Sequence, residues 1–471
     1  KNPQWLESLR TCYCSTYRSW QMSSIRSSGL VVAAGTYDGV LAGWELKKDK
    51  SLGLELTFAT AVHSGSIRSL SIAPSPKGDE AGPLLSCGYD ETLRTHEWHK
   101  RMTSSGEVRT PSDFGTPVCS AFAPPTQSST HCIIGFTSGK LCIYKKRDWS
   151  VQHVLAGHEG GVASLAVHPT GKIALSAGVA DGKLKLWDLT KGRLAFVNKI
   201  KPSSQLGGAA RYDPVSSIVW SKDGEFYALS YGSHITVRDV ATGKDLLDVD
   251  LPSRVNQVAL MSGPEGLFVA AACNDGSLPV LAVEDSSDEK RRAIMAIEPV
   301  DSHLAREERF KSICSVRGYH VVTANSAGVI SLMNLEGAVR MIMSDEVDEK
   351  DDESDVESKD SQSDDDDESD VELAVDILES TRLGSGARIT CLVAWCMDEE
   401  TQEEAQIKST QDEPAKPQTK PQSQAEEPKS LKRKQVDENV TMDDAAIKKA
   451  RSLVAQAKTL SQKKNSKKKR K

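Results

Sequence analysis

GHEGGVASLAVHPTGKIALSAGVADGKLKLWDL, residues Gly157–Leu189, is the stretch that decides the fold. It opens on Gly157-His158 and closes on Trp187-Asp188. Between them lie three short strand-like runs, VASLAVH, IALSAG and KLKLWDL, separated by the turn sequences PTGK and ADGK. Gly and Asp at those turns suit tight hairpins. A His-to-Trp span of this kind reads as one blade of a β-propeller. His158, Ser176, Asp181 and Trp187 form a candidate structural tetrad, with the carboxylate holding the imidazole and the imidazole bracing the following strands. One blade cannot bury both of its faces, so the stretch predicts siblings.

Aligning the chain on the Trp187 strand end gives equivalents at Trp44, His96, Tyr144, Arg238, Leu281 and Met333. Successive spacings are 52, 48, 43, 51, 43 and 52 residues, close to a WD40 unit with modest loop growth. The sequence therefore predicts an all-β, seven-bladed WD40 β-propeller. The units are degenerate: only Trp187-Asp188 is an intact WD pair and only Gly157-His158 an intact GH pair, so full bracing is expected in the fourth unit alone. Asp38, Asp90, Asp181 and Asp275 keep the turn aspartate, while Ser138, Gly232 and Ala327 stand at the other three turns. The first unit lacks an initial strand. ARITCLVAWCM (Ala387–Met397) alternates like one and is expected to close the ring, removing both open sheet edges.

The expected organisation is an N-terminal extension (1–28), the propeller (29–343), a disordered acidic loop (344–372), a closing segment (373–397) and a disordered Lys-rich tail (398–471). The acidic block is placed between the seventh unit and the closing strand. Net charge is −7, but Asp345–Glu372 carries −15 and Lys429–Lys471 carries +11, leaving the rest near neutral. Ser354, Ser361, Ser363 and Ser369 each precede an acid by three residues and are candidate phosphosites for acidophilic kinases. The tail clusters Lys432, Arg433, Lys434; Lys448, Lys449, Arg451; and Lys463, Lys464, Lys467, Lys468, Lys469, Arg470, Lys471 read as nuclear-import and phosphate-binding elements. No aromatic residue interleaves them, so the expected nucleic-acid affinity is electrostatic and salt-dependent. Thr441 to Gln462 carries an N-cap and an apolar stripe that suit a helix formed on binding.

The ten cysteines form no CxxC pair, which reads as a reducing compartment with neither disulfide framework nor metal site. No run approaches the apolar length of a membrane span, and none reads as a signal peptide, although the sequence opens on Lys1 rather than Met. His158 and Asp181 resemble a catalytic dyad, but their spacing assigns them to blade bracing. There is no phosphate-cradling or nucleophile-elbow motif, so the expectation is a non-enzyme without metal, cofactor or small-molecule substrate. Ser203–Pro214 reads as a flexible connector. Lys145–Trp149 (KKRDW) is a candidate contact point, with a solvated strand end as the plainer reading.

Gly157–Lys201 also resembles the PAK-interacting-protein family of nucleolar WD40 proteins, whose fungal members belong to the maintenance-of-killer class. The resemblance rests on VHPTGKIALS, on KGRLAFVNKIK after the WD pair, and on the late ARITCLVAW. It implies an assembly factor for the large (60S) ribosomal subunit in the nucleus and nucleolus. Its implied partners are pre-60S assembly factors, ribosomal-like proteins and, through the basic tail, pre-rRNA; it would act as a monomer within a large complex. A signalling adaptor that restrains a PAK-type kinase, and a histone- or chromatin-binding WD40 protein, stand as alternatives.

Overall fold

The computed structural model describes residues 29–46, 53–74, 81–98, 103–125, 128–202, 204–206, 209–283, 308–344, 375–384 and 386–396. Their strands form seven antiparallel sheets of three or four strands, arranged as blades 1 to 7, and one separate two-stranded hairpin. In blade 4 the strands Val162–Val167, Ile173–Gly178, Lys183–Asp188 and Arg193–Lys199 follow one another from the innermost to the outermost. The other blades repeat this order, and in blade 6 three strands are described. Trp44, His96, Tyr144, Trp187, Arg238, Leu281 and Met333 all fall on third strands.

Ring closure follows from the first and last strands. Ile389–Trp395 pairs antiparallel with Val31–Thr36, with Val31 opposite Trp395 and Gly35 opposite Cys391. It becomes the inner strand of blade 1. Second strands are sandwiched between two neighbouring blades, so they read as continuous apolar runs rather than alternating ones; Val31–Thr36 is buried at every position.

The core is divided among the gaps between blades. Seven apolar clusters each join two successive blades. Trp44, Val32 and Leu392 of blade 1 meet Val322 and Leu332 of blade 7, so the last gap is packed like the others. Burying one such side chain stabilises by roughly 1.5–3 kcal/mol, and each blade depends on both neighbours for it.

The closing segment differs from its expected form. Residues 373–397 hold two strands in two different blades: Asp376–Arg382 is the outer strand of blade 7, and Ile389–Trp395 the inner strand of blade 1. In sequence the acidic block thus falls between two paired strands of blade 7, the third strand Val329–Asn334 and the outer strand, not between the seventh unit and the closing strand. A helix, α1 (Glu336–Ser344), follows the third strand directly. Asn334 caps it by accepting a hydrogen bond from Glu336 N–H at 3.1 Å, and Glu336 pairs with Arg340 one turn on at 2.6 Å. Ala338, Val339 and Ile342 press its apolar face onto the gap between blades 6 and 7.

Within the segment read as a connector, Ser204–Leu206 and Ala209–Arg211 pair as a short hairpin. KKRDW forms the turn before the outer strand of blade 3. Asp148 accepts from Ser150 N–H and O–H at 3.0 and 2.7 Å, while the Trp149 ring packs near Tyr144. Residues 1–28, the serines Ser354, Ser361, Ser363 and Ser369, every basic cluster of the tail and the helix proposed from Thr441 lie outside the described residues.

The hairpin turns between second and third strands need a left-handed residue. At Gly139 (φ 81°) a Cβ would sit 2.0 Å from the His158 carbonyl oxygen, because the Gly139 carbonyl accepts the backbone N–H groups of Gly157 and His158. In blade 2 the left-handed position is held by Glu91 (φ 59°), whose side chain is exposed. Relief of that strain exceeds the backbone entropy added to the unfolded chain. Glu91→Gly is expected to stabilise the protein by about 0.5–1 kcal/mol, read as a thermal midpoint raised by about 2 °C; an unchanged or lower midpoint contradicts the assignment.

Candidate interaction surface

Two buried polar chains hold the blades whose loops form the surface. In blade 4 the structure brings together all four residues singled out from sequence. His158 Nδ1 lies 2.9 Å from Asp181 Oδ2, His158 Nε2 lies 2.7 Å from Ser176 Oγ, and Trp187 Nε1–H donates to Ser176 Oγ at 2.7 Å. The indole can only donate and the carboxylate can only accept, which fixes every proton: Nδ1–H to Asp181, Ser176 O–H to Nε2, indole N–H to Ser176.

Blade 2 contains a second chain, which corrects the expectation that only the fourth unit keeps its bracing. His63 Nδ1 lies 2.9 Å from Asp90 Oδ1, His63 Nε2 lies 2.8 Å from Ser86 Oγ, and His96 Nε2 lies 2.9 Å from the same oxygen. His96 takes the tryptophan's role as N–H donor. His63 stands at Val62-His63 rather than after a glycine, so a search for Gly-His and Trp-Asp passes over it. The usable signal is a His 27 residues before a turn aspartate, with Ser86 between them.

Both chains have the Ser–His–Asp connectivity of a hydrolase triad. Neither can act as one. Ser176 and Ser86 are 0% exposed, and each oxygen is already engaged by the imidazole and by the residue at the tryptophan position. Burial lowers the pKa of both His158 and His63 against the opposing pull of their aspartates, keeping the imidazoles neutral. Cysteine nucleophiles are disfavoured for a similar reason: burial pushes the thiols of Cys87 and Cys119 up to about 12 and those of Cys142 and Cys273 up to about 11. Among the described residues, no group of three His, Cys, Asp or Glu side chains is placed to hold a metal ion.

The accessible chemistry lies at the mouth of the central channel. In every blade the second residue of the inner strand is skipped by the ladder as a β-bulge. From blade 1 to blade 7 these residues are Thr390, Arg68, Val118, Ala163, Ser216, Asn256 and Lys311. Arg68, Val118, Ala163 and Ser216 line one open depression of about 330 Å³, together with the Gly160-Gly161 turn and Pro214. The residue just before the inner strand is Arg254 in blade 6, Arg309 in blade 7 and Arg388 in blade 1. Their carbonyls accept the backbone N–H groups of Asn274, Ser326 and Tyr37 at 2.9, 2.8 and 2.9 Å, which sets them at the same end of the barrel of strands.

Three successive blades thus carry an arginine at one structural position, flanked by the bulge cations Lys311 and Arg68. Burial and the neighbouring charges of Arg309 and Arg254 hold the Lys311 ammonium below its usual pKa. Beside this arc, Tyr37 and Tyr89 follow the second strands of blades 1 and 2 with 61% and 62% of their surface exposed. Sequence inspection alone missed the arc because its members are 55–80 residues apart. It emerges only when the seven inner strands are placed in structural register.

Comparisons with known proteins agree with this architecture. Residues 149–188 match the WD domain, G-beta repeat model. The chain is similar to the p21-activated protein kinase-interacting protein 1-like protein of Gallus gallus, 24% identical over 308 residues that cover 65% of this chain and 73% of the relative. It is 26% identical to the Shk1 kinase-binding protein 15 of Schizosaccharomyces pombe over 294 residues, covering 59% and 75% of the two chains. A shorter similarity, 29% over 174 residues, reaches the telomerase Cajal body protein 1 of Bos taurus and covers 36% of this chain and 30% of the relative.

Proposed function

We propose that this WD40 propeller is a non-catalytic nuclear scaffold that gathers protein partners at its channel mouth during assembly of the large ribosomal subunit. The observation that carries the scaffold reading is the contrast between its two kinds of polar site. The Ser–His–Asp chains are sealed inside blades, whereas the cations and tyrosines of the mouth are open to solvent. Nuclear residence and contact with pre-rRNA are supported by the Lys-rich clusters between Lys432 and Lys471, which can neutralise phosphates by counterion release. Assembly of pre-60S particles is supported by the resemblance of Gly157–Lys201 and of ARITCLVAW to nucleolar WD40 factors.

A second reading is favoured by the printed names of two relatives, a kinase-interacting and a kinase-binding protein. On that reading the same mouth holds a regulatory segment of a PAK-type kinase. Tagged purification with identification of bound RNA and protein separates the two. Large-subunit precursor RNA with assembly factors is the expected result. Recovery of a kinase with neither would overturn the ribosomal reading in favour of the kinase one.

A further inference from the structure

The arginine arc has a specific partner chemistry. We propose that the channel mouth binds an acidic peptide segment of a protein partner, with Asp and Glu carboxylates seated among Arg254, Arg309, Lys311, Arg388 and Arg68, and a flanking apolar residue against Tyr37 and Tyr89. The proposal rests on the reading of the mouth as the partner-binding surface and adds what that surface recognises.

Three observations converge on it. None of these five cations has a carboxylate within ion-pair range among the described residues, although ion pairs form elsewhere: Arg238 with Asp245 and Arg94 with Glu107 on the blades, Arg340 with Glu336 in helix α1. Their mutual repulsion is felt at Lys311, where the charges of Arg309 and Arg254 add to burial in disfavouring the ammonium. An anion placed between them removes that repulsion. Lastly, the cations occupy bulge and pre-strand positions of adjoining blades 6, 7, 1 and 2, so the sheet backbone presents them and no backbone ordering is needed on binding.

The distribution of charge favours a peptide over a nucleic acid. Binding along a phosphate backbone needs an extended basic track. Here the unpaired cations form a short arc at the channel rim, and the loops at the same end also carry the carboxylates of Asp38, Glu91, Asp275 and Glu308, while Lys140 and Lys183 are already paired with Asp113 and Glu159. Those carboxylates interrupt any basic track across the face, whereas a short acidic segment can be held at the arc alone. Exposed tyrosines beside a cationic arc also match the composition of protein-binding hot spots.

The test is fluorescence anisotropy with the full chain and a fluorescein-labelled peptide of about ten residues, rich in Asp and Glu and carrying one leucine. Arg254→Glu/Arg309→Glu is compared with Arg193→Glu/Lys244→Glu, which makes the same charge change at exposed positions at the opposite end of blades 4 and 5. The basic tail is present in both, so its contribution cancels. Expected is a loss of at least tenfold in peptide affinity for the mouth variant and less than threefold for the control. Equal losses, or no measurable binding to the unaltered chain, would overturn the proposal. So would a mouth variant that loses a labelled oligouridine but keeps the peptide. If the mouth variant loses its cellular partners yet binds the peptide normally, only the acidic chemistry fails; if it keeps both, the mouth itself is the wrong surface.

Discussion

His158→Ala is expected to destabilise the protein by about 3–5 kcal/mol without abolishing any chemistry. The imidazole is the middle of a chain in which every donor has one acceptor. Its removal leaves the Asp181 carboxylate, 1% exposed, with only the Lys183 backbone N–H at 3.1 Å and the Ser176 hydroxyl without its acceptor, and it opens a cavity between blades 3 and 4. A buried carboxylate that loses one of its two donors, a lost buried hydrogen bond and the cavity together reach that magnitude. Asp181→Asn keeps an acceptor oxygen at the same place and should cost about 1 kcal/mol. His63→Ala is expected to cost nearly as much as His158→Ala, because Ser86, Asp90 and His96 lose the same central member. Urea unfolding midpoints at neutral pH check the set. A His63→Ala cost below 1 kcal/mol would show that the blade 2 chain is not an equivalent brace.

The second large effect is a loss of stability between pH 6.5 and pH 4 that begins in blade 2. His96 is 1% exposed, and burial, reinforced by the nearby charges of His63 and Arg94, depresses its pKa to about 4. The proton count explains why. With Nε2–H donated to Ser86, His96 Nδ1 is buried with no partner, so a second proton would be placed on an atom with nothing to receive it. The folded-state pKa lies below the unfolded value of about 6.5, so stability is full above that value. As pH falls the unfolded chain takes up the proton first. His96 alone then removes about 2 kcal/mol by pH 5 and about 3 kcal/mol by pH 4. His63 is lowered too, by burial against the pull of Asp90, and adds in the same direction. Asp90 is held below its ordinary carboxylate value, so its contribution disappears only at still lower pH.

Blade 4 supplies an internal comparison. Trp187 takes the place of the second imidazole and carries no titratable proton in this range. Hydrogen exchange at pH 7 and pH 5, corrected for intrinsic rates, should show protection falling more over Ile67–Glu97 than over Val162–Asp188. Equal falls in the two blades would refute a special role for His96.

The fold was largely legible in sequence because a propeller repeats. Once Trp187 defined the end of a third strand, the period located six more, and the orphan pattern ARITCLVAW found its place beside Val31–Thr36. What escaped was what lacks a period. Helix α1 starts where a strand ends, with Asn334 serving both, so no turn announces it. DILESTR reads as part of a closing segment because its partner strand, Val329–Asn334, is separated from it by the acidic block. The blade 2 brace was hidden by a chemical substitution: imidazole Nε2–H replaces indole Nε1–H, which preserves the hydrogen bond and erases the letter pattern. The interaction surface was the least legible part. Arg254, Arg309 and Arg388 are isolated arginines in sequence and become an arc only through ring closure.

The central claim, that the propeller gathers partners at its channel mouth, is tested most directly by quantitative purification of the tagged full chain from cells. Unaltered protein is compared with Arg254→Glu/Arg309→Glu, and with Arg193→Glu/Lys244→Glu as the charge-matched control. The account predicts that the mouth variant, folded by circular dichroism, loses most co-purifying protein while the control keeps it. Recovery of the same partners in the same amounts from both variants would contradict it.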